Sequence, residues 1–261
     1  MPLPESASLP GGNSGSPVVR NGEVTLKPAT SATDAIHAYL TELGRAGVDV
    51  PVPHGRDEDG RQRLEFVDGT LAIDAGRLDE SGLRRVGALI RSIHDASEHI
   101  EIPSGVPWTS AIPAPRSDLM CHNDLAPWNL IIGERWVFID WDAAAPSTRA
   151  WDLAYAAQSF TLNDPSLPPV EAAHDLSNFV DGYRADATLR STLPDVMIKR
   201  VDAMVALLEN GRVSGTEPWA SMHDDGHGDH WRAVSAYVAD NVDMWRRALI
   251  EGEAKHSSQA T

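Results

Sequence analysis

The chain has 261 residues, of which 42% are hydrophobic and 23% are charged, and its formal net charge is -16. These proportions are those of an ordinary globular protein, and the length allows one large domain or two smaller lobes. The negative charge argues against nucleic acid or an anionic membrane surface as a partner. It is compatible with a cationic substrate and equally with a role in solubility alone.

The cysteine content and the apolar runs narrow the class of protein further. A single cysteine excludes an internal disulfide, and no apolar run is long enough to span a membrane. The first residues have neither a basic start nor an apolar stretch, so no signal peptide is predicted. We therefore expect a cytoplasmic protein, while the oligomeric state leaves no signal in the sequence.

The N-terminal quarter has the pattern of a small sheet-containing lobe. Residues 1–10 are rich in proline and serine and are predicted to form a disordered tail. A glycine- and serine-rich stretch then leads into a predicted hairpin over residues 18–27, because Asn-Gly is a strong signal for a two-residue turn. One further helix and one further strand are predicted, at residues 33–44 and 63–67. Residues 11–68 are therefore predicted to form an antiparallel sheet with one helix.

From residue 69 onwards the pattern is helical, and residues 69–251 are predicted to form a second, larger lobe followed by a tail at 252–261. Apolar residues recur at helical spacing in five segments, at residues 81–97, 153–160, 170–185, 193–210 and 231–250. The stretch from His223 to His230 contains three histidines and three aspartates without a metal-ligand spacing. It is interpreted either as an acidic loop near the substrate or as a plain solvated loop.

The chemistry concentrates in one stretch between these helices. His122, Asp124 and Asn129 have the spacing H-x-D-x-x-x-x-N, and a predicted apolar hairpin over residues 130–139 ends at Asp140. Because a hairpin brings the residue before its first strand close to the residue after its second, Asn129 and Asp140 are expected to converge. An amide oxygen and a carboxylate suit Mg2+. Asp124 faces the same volume and can accept a proton from, or orient, an attacking hydroxyl.

These motifs resemble those of a known family. The stretch from His122 to Asn129 resembles the kinase catalytic loop H-R-D-L-x-x-x-N, and Asp140-Trp141-Asp142 stands where kinases have D-F-G. Asp152-Leu153-Ala154 is similar to the D-L-A of the aminoglycoside phosphotransferase and choline kinase family, in particular of its trifolitoxin-immunity-like branch. The resemblance implies an α+β, two-lobed protein kinase-like fold. It also implies transfer of the gamma-phosphate of ATP or GTP to a small-molecule alcohol, with an aminoglycoside or another amino alcohol among the candidates.

The resemblance also assigns roles along the chain. The implied nucleotide contacts are Gly12, Ser14 and Gly15 in a phosphate-covering loop, Lys27 on a strand, and the main chain of Glu65 and Val67 at the hinge. Asn129 and Asp140 would hold Mg2+, and Asp142 would help through a second ion or a water. His122 would orient the catalytic loop, and Asp152 would accept hydrogen bonds from its backbone.

The sequence departs from the kinase pattern in two places, and both bear on the function that the resemblance implies. The helix at residues 33–44 offers His37 and Glu42 but no glutamate in the register that normally pairs with the strand lysine. Eleven residues lie between Asp140 and Asp152, and there is no A-P-E motif. This segment is too short for a regulated activation loop, so the pattern favours a small-molecule kinase over a regulated protein kinase.

Two alternative functions remain open at this point. One is a nucleotide-binding or immunity protein that keeps the kinase fold without efficient catalysis, which the missing helix glutamate favours. The other is a metal-dependent hydrolase whose ligands would be drawn from His94, His122, Asp124, Asp140 and His223. This second set lacks a recognised metal-ligand spacing.

Overall fold

The computed structural model describes the backbone of residues 7–9 and 18–259 and the side chains of residues 18–250. The described chain folds into a small lobe, in which an antiparallel sheet is covered by one helix, and a larger, mainly helical lobe. The α+β, two-lobed fold class predicted from the sequence is confirmed.

The small lobe contains a five-stranded antiparallel sheet. Its strands are β1 (Ala7–Leu9), β2 (Val18–Asn21), β3 (Val24–Lys27), β4 (Pro53–Arg56) and β5 (Gln62–Glu65). The spatial order is β1-β2-β3-β5-β4, which places β3 in the centre of the sheet. The strand β1 lies inside the segment that we expected to be disordered. Its backbone pairs with β2, with Leu9 opposite Val18, so this part of the tail is a strand instead.

Helix α1 (Thr33–Arg45) connects the small lobe to the rest of the molecule. Its apolar face, with Ile36, Leu40 and Leu43, is buried in a core that continues into the helical lobe. Its Tyr39 hydroxyl lies 2.6 Å from Oγ of Ser97 and 3.2 Å from the carbonyl oxygen of Met120. These contacts cross from the small lobe to the segment that precedes the catalytic loop.

Two small sheets hold the catalytic loop. Strand β6 (Thr70–Leu71) pairs with β8 (Leu130–Ile132), which pairs with β9 (Trp136–Phe138), and β7 (Leu119–Cys121) pairs with β10 (Ala145–Ser147). The loop from residue 122 to residue 129 is therefore anchored by a paired strand at each end. Gly69 allows β6 to approach β8, because a Cβ there would lie 2.5 Å from the Ile131 side chain.

Seven helices build the larger lobe. They are α2 (Glu80–Ser97), α3 (Arg149–Thr161), α4 (Pro169–Tyr183), α5 (Ala187–Ser214), α6 (Trp219–Met222), α7 (Gly228–Asp240) and α8 (Val242–Gln259). Helices α2 and α4 cross in close contact at Gly87. Only glycine fits there, since a Cβ at this position would lie 2.2 Å from the carbonyl oxygen of Phe179. Among the described helices, none is both long and apolar enough to cross a membrane.

Three sequence predictions for this lobe were wrong in detail. Helix α5 begins six residues earlier than predicted, because Asp186 caps it by accepting a hydrogen bond of 2.7 Å from the Leu189 N–H. The single helix predicted at residues 231–250 is divided into α7 and α8, and the Asn241 amide at the break donates to the Tyr237 carbonyl. The segment from His223 to His230, expected to be a loop throughout, is a kinked turn over His223–His227, where Gly226 has a positive φ of 99°, followed by the first turn of α7.

Candidate active site

The hairpin of β8 and β9 brings Asn129 next to the residues that follow its second strand. The Ile139 N–H donates a hydrogen bond of 2.8 Å to the Asn129 carbonyl oxygen, one residue before Asp140. Asp140 adopts a left-handed conformation with φ of 60°, which turns the chain sharply after β9. The approach of Asn129 to the residues after β9 depends on this one hairpin, which is local in sequence, and that explains why the sequence pattern was sufficient to predict it.

Asn129 and Asp124 are joined directly. The Asn129 amide Nδ2 donates to Oδ2 of Asp124 at 2.8 Å and to its carbonyl oxygen at 3.0 Å. The amide oxygen of Asn129 therefore faces away from Asp124. In the described part of the chain no hydrogen-bond donor reaches that oxygen.

His122 connects the catalytic loop to the end of strand β9. Its side chain is fully buried, its Nε2 donates to the Ile139 carbonyl oxygen at 3.0 Å, and its Nδ1 accepts from the Asp124 N–H at 3.2 Å. The ring packs against Trp141 with 4.4 Å between centroids. Both ring nitrogens are engaged by the protein, so His122 fixes the distance between the two loops and has no nitrogen left for a metal ion.

Asp152 holds the backbone of the same loop. Its Oδ1 accepts from the Asn123 N–H at 2.8 Å, and its Oδ2 lies 3.0 Å from Nε2 of His94. The Nδ1 of His94 lies 2.8 Å from the Tyr183 hydroxyl. His94 is thus a satisfied buried histidine, and His223 lies elsewhere, next to Asp224. The described structure does not bring together the ligands that the hydrolase alternative requires.

Asn123 is a positioning residue that the sequence analysis did not assign to the site. It has a left-handed backbone with φ of 64°, and its amide donates to the carbonyl oxygens of Ala143 at 3.1 Å and Ala145 at 3.2 Å. The amide therefore connects the catalytic loop to the segment that follows Asp140. The sequence carried one signal, since asparagine tolerates the left-handed conformation better than most residues.

Lys27 at the end of β3 reaches across to the large lobe. Its Nζ lies 2.6 Å from Oδ1 of Asp140 and 2.9 Å from Oδ2 of Asp142. Burial alone would lower the pKa of Lys27, but the two carboxylates outweigh it and raise that pKa above its ordinary value. Burial also acts to raise the pKa of Asp140, and Lys27 reverses this effect and holds it below the usual range.

Gln62, the cross-strand neighbour of Lys27, was missed by the sequence analysis. It is 1% exposed, and its amide donates to Oδ1 of Asp142 at 2.9 Å and to the Pro28 carbonyl oxygen at 2.9 Å. Both carboxylate oxygens of Asp142 are therefore engaged, one by Gln62 and one by Lys27. No sequence signal links residues that are 80 positions apart and meet only in the fold.

The helix residue in the position of the usual kinase glutamate is His37. Its side chain is 7% exposed, and its Nε2 is buried without a hydrogen-bond partner. Lys27 takes its carboxylate partners from Asp140 and Asp142 instead of from α1.

The predicted hinge leads from β5 to β6. The Glu65 carboxylate forms a salt bridge to Arg135 in the β8–β9 turn and accepts a hydrogen bond of 3.1 Å from the Val52 N–H. Val67 is buried against Ile131, and its peptide groups form no hydrogen bond with the described part of the chain. Gly12, Ser14 and Gly15, predicted to cover the phosphates, lie outside the described residues.

An aromatic cluster lies on the other side of Asp124. Tyr155 on α3 lies close enough to the Asp124 carboxylate for each group to affect the pKa of the other. The Tyr155 ring packs against Trp128 of the catalytic loop and stacks on Trp231 of α7, with 6.4 Å and 6.3 Å between centroids. Burial raises the pKa of Asp124 above its ordinary value, which makes this carboxylate a better proton acceptor.

The donor set fits a magnesium ion. The amide oxygen of Asn129 has no partner among the described residues, and Oδ2 of Asp140 has no side-chain partner. One amide oxygen and one carboxylate oxygen are hard ligands, and Mg2+ commonly takes one or two carboxylates together with substrate phosphates and water. Asp142 fits this role less well, because both of its oxygens already accept hydrogen bonds from the protein.

Comparisons with known proteins agree with this geometry. Residues 107–190 match the model of the phosphotransferase enzyme family APH. The chain is 26% identical over 197 residues to the trifolitoxin immunity protein of Rhizobium leguminosarum bv. trifolii, a match that spans 69% of this chain and 75% of that protein.

Solved structures of kinases have the same fold. The chain is similar to amicoumacin kinase hAmiN in complex with AMP-PNP, Ca2+ and Ami, with a TM-score of 0.69 and 14% identity over 90% of this chain and 88% of that chain. It is also similar to a microcompartment-associated aminopropanol kinase, with a TM-score of 0.63 and 18% identity over 93% and 94% of the two chains. The fold is that of the kinase-like phosphotransferases. The predicted resemblance to the aminoglycoside phosphotransferase and choline kinase family is confirmed by the match of the central segment and by this fold.

Proposed function

We propose that the protein transfers the gamma-phosphoryl group of ATP or GTP to a hydroxyl of a small molecule. The observation that carries the proposal is a chain of contacts: the Asn129 amide bonds to Asp124, the Asn129 carbonyl oxygen bonds to the residue before Asp140, and Lys27 reaches Asp140 from the other lobe. In phosphoryl transfer most of the catalysis comes from positioning and from neutralising charge. Four fixed polar groups around one cleft are suited to that task.

Each side of the cleft has its own role in this proposal. Asp124 orients the acceptor hydroxyl and accepts its proton, and the Asn129 amide holds the carboxylate in place. Asn129 and Asp140 hold Mg2+, which when bound neutralises charge on the phosphates. Lys27 binds phosphate oxygens, and the unused peptide groups of Val67 are available to the base of the nucleotide. Gly12, Ser14 and Gly15 are proposed to cover the phosphates.

In this account Asp142 replaces the helix glutamate of other kinases. Its carboxylate is anchored by the Gln62 amide and in turn holds the Lys27 ammonium group. A buried lysine needs such a partner, because an unpaired ammonium group in this position would be unfavourable. The absence of a glutamate on α1 in the register that pairs with Lys27 is therefore no argument against a positioned lysine.

The acceptor is proposed to be a small alcohol. The relatives with similar structures are named as kinases of amicoumacin and aminopropanol, and the net charge of -16 is compatible with an acceptor that carries an amine. The aromatic side chains of Trp128 and Tyr155 next to Asp124 provide an apolar wall for such a molecule.

A second function is favoured by one observation, the 26% identity to a trifolitoxin immunity protein. Under this alternative the protein binds a nucleotide in the same cleft and acts by binding without efficient turnover. The two functions make different predictions about Asp124, which is needed for phosphoryl transfer and is dispensable for nucleotide binding.

The test is ATP consumption over a panel of hydroxyl acceptors, with the phosphorylated product identified by mass spectrometry. For the kinase we expect turnover by the wild type and a loss of roughly a hundredfold or more in Asp124→Ala, which is the range for general base catalysis. Nucleotide binding measured by calorimetry is expected to survive in that variant. Equal turnover by wild type and variant would refute the role of Asp124, and binding without any turnover would favour the second function.

A further inference from the structure

Arg200 on α5 is a buried cation that forms no ion pair with the described residues, because the carboxylates of Asp124 and Asp152 act on it only from beyond ion-pair distance. It is 6% exposed, and its Nη1 is buried with no hydrogen-bond partner. No ion pair or hydrogen bond joins it to any residue for which side chains are described. Arg190 on the same helix differs, because it donates to the Asp181 carboxylate at 2.8 Å and to two carbonyl oxygens.

The position of Arg200 connects it to the proposed acceptor side of the cleft. Its guanidinium carbon lies 4.2 Å from the centroid of the Tyr155 ring and 5.9 Å from that of Trp151. The Tyr155 ring also lies 6.4 Å, between centroids, from the ring of Trp128 in the catalytic loop, and the Asp124 carboxylate is close enough to affect the pKa values of both Tyr155 and Arg200. Tyr155 therefore connects the guanidinium group to the loop that carries the carboxylate proposed to face the acceptor hydroxyl.

Packing alone does not account for an arginine in this place. A contact with aromatic rings offsets part of the cost of burying a cation, but an unpaired buried charge remains unfavourable. A methionine or leucine would fill the same space between α3 and α5 without that cost. The unused N–H donors of Arg200 can instead bind an anionic group of a ligand. The planar guanidinium group matches the two oxygens of a carboxylate.

We propose that Arg200 determines specificity by binding a carboxylate of the acceptor beside Asp124 and Tyr155. The acceptor would then be a hydroxy acid, with its hydroxyl at Asp124 and its carboxylate at the guanidinium group. This inference rests on the proposed phosphotransferase function. It is compatible with an amine elsewhere on the acceptor, and it narrows the amine-bearing alcohols of the proposed function to those that also carry a carboxylate.

The experiment compares pairs of small alcohols that differ by one carboxylate. Serine is paired with ethanolamine, and threonine is paired with isopropanolamine. Binding of each is measured by calorimetry to the protein saturated with AMP-PNP and Mg2+. For the wild type we expect the hydroxy acid of each pair to bind roughly ten- to a hundredfold more tightly, the range for a hydrogen bond to a charged group.

Variants separate recognition from packing. Arg200→Met is expected to abolish the preference for the acid, and Arg200→Lys is expected to keep part of it. Lys199→Met, which removes the exposed neighbouring cation, is expected to leave the preference unchanged. If Arg200→Met does not fold, Arg200→Lys decides the matter, because loss of the fork geometry should still weaken binding of the acid relative to its partner.

Three results would overturn the inference. They are equal or tighter binding of the amines by the wild type, binding of neither member of a pair, and an unchanged preference in Arg200→Met. A purely structural role for Arg200 would weaken binding of both members to the same extent. Failure of the wild type to bind AMP-PNP would be a different outcome, because it would refute the proposed function and remove this inference with it.

Discussion

The ammonium group of Lys27 lies 2.6 Å from Oδ1 of Asp140. This ion pair connects the last residue of strand β3 in the small lobe to the proposed magnesium ligand in the large lobe. Asp142 completes the arrangement at 2.9 Å from the same ammonium group. The two lobes are therefore joined at the point where the phosphates of a nucleotide are proposed to bind.

Gln62 is expected to be important for nucleotide affinity although it does not contact the proposed nucleotide. Gln62→Leu removes the amide that anchors Asp142 and leaves a buried carboxylate oxygen without its partner. We expect AMP-PNP binding in calorimetry to weaken roughly tenfold, since a hydrogen bond to a charged group is involved. Gln158→Leu is the matched control, because Gln158 is equally buried but bonds to Asn163 instead. Equal affinities in wild type and Gln62→Leu would contradict the role of Asp142.

Asn123 is expected to be important for turnover through its side chain. Asn123→Gly keeps the left-handed backbone and removes the amide that reaches Ala143 and Ala145, whereas Asn123→Ala also strains the backbone by about 1–2 kcal/mol. We expect kcat to fall in both variants because the catalytic loop loses its connection to the Asp140 segment. Stability in denaturant should be lower for the alanine variant than for the glycine variant if the strain is real. A wild-type kcat in Asn123→Gly would show that the connection is dispensable.

The crossing of α2 and α4 makes a prediction about stability alone. Gly87→Ala places a methyl group against the backbone of α4 and is expected to cost at least about 1 kcal/mol in the free energy of unfolding. Gly44→Ala is the matched control on α1, where a Cβ meets nothing within 4 Å and the helix should gain up to about 1 kcal/mol. Urea unfolding of both variants measures the difference. A Gly87→Ala variant as stable as Gly44→Ala would mean that the helices are further apart than described.

The parts of the site that were predictable are those that are local in sequence. Asn129 and Asp140 are brought together by one hairpin, and Asp124 is five residues from Asn129, so motif and turn geometry were enough. Gln62 was missed, and so was the role proposed for Arg200, because their neighbours come from distant segments. Neither a glutamine in a short strand nor an arginine in a helix has a pattern that marks it.

The predictions of the helix boundaries were wrong for a related reason. The apolar spacing from Trp231 to Leu249 continues across Asn241, so the period alone could not predict the break between α7 and α8. The family motif also suggested a metal for Asp142, whereas the fold gives both of its oxygens to Lys27 and Gln62. Motifs therefore located the cleft, and the three-dimensional contacts were needed to assign the partners within it.

The central claim is a magnesium-dependent nucleotide site built on Asp140. The most direct test is calorimetric titration of AMP-PNP with and without Mg2+, on the wild type, on Asp140→Ala and on Asp74→Ala as a control that removes an exposed aspartate. The account predicts binding that depends on Mg2+ in the wild type and the control and is lost in Asp140→Ala. Binding that is unaffected by Mg2+ or by loss of the Asp140 carboxylate would contradict it.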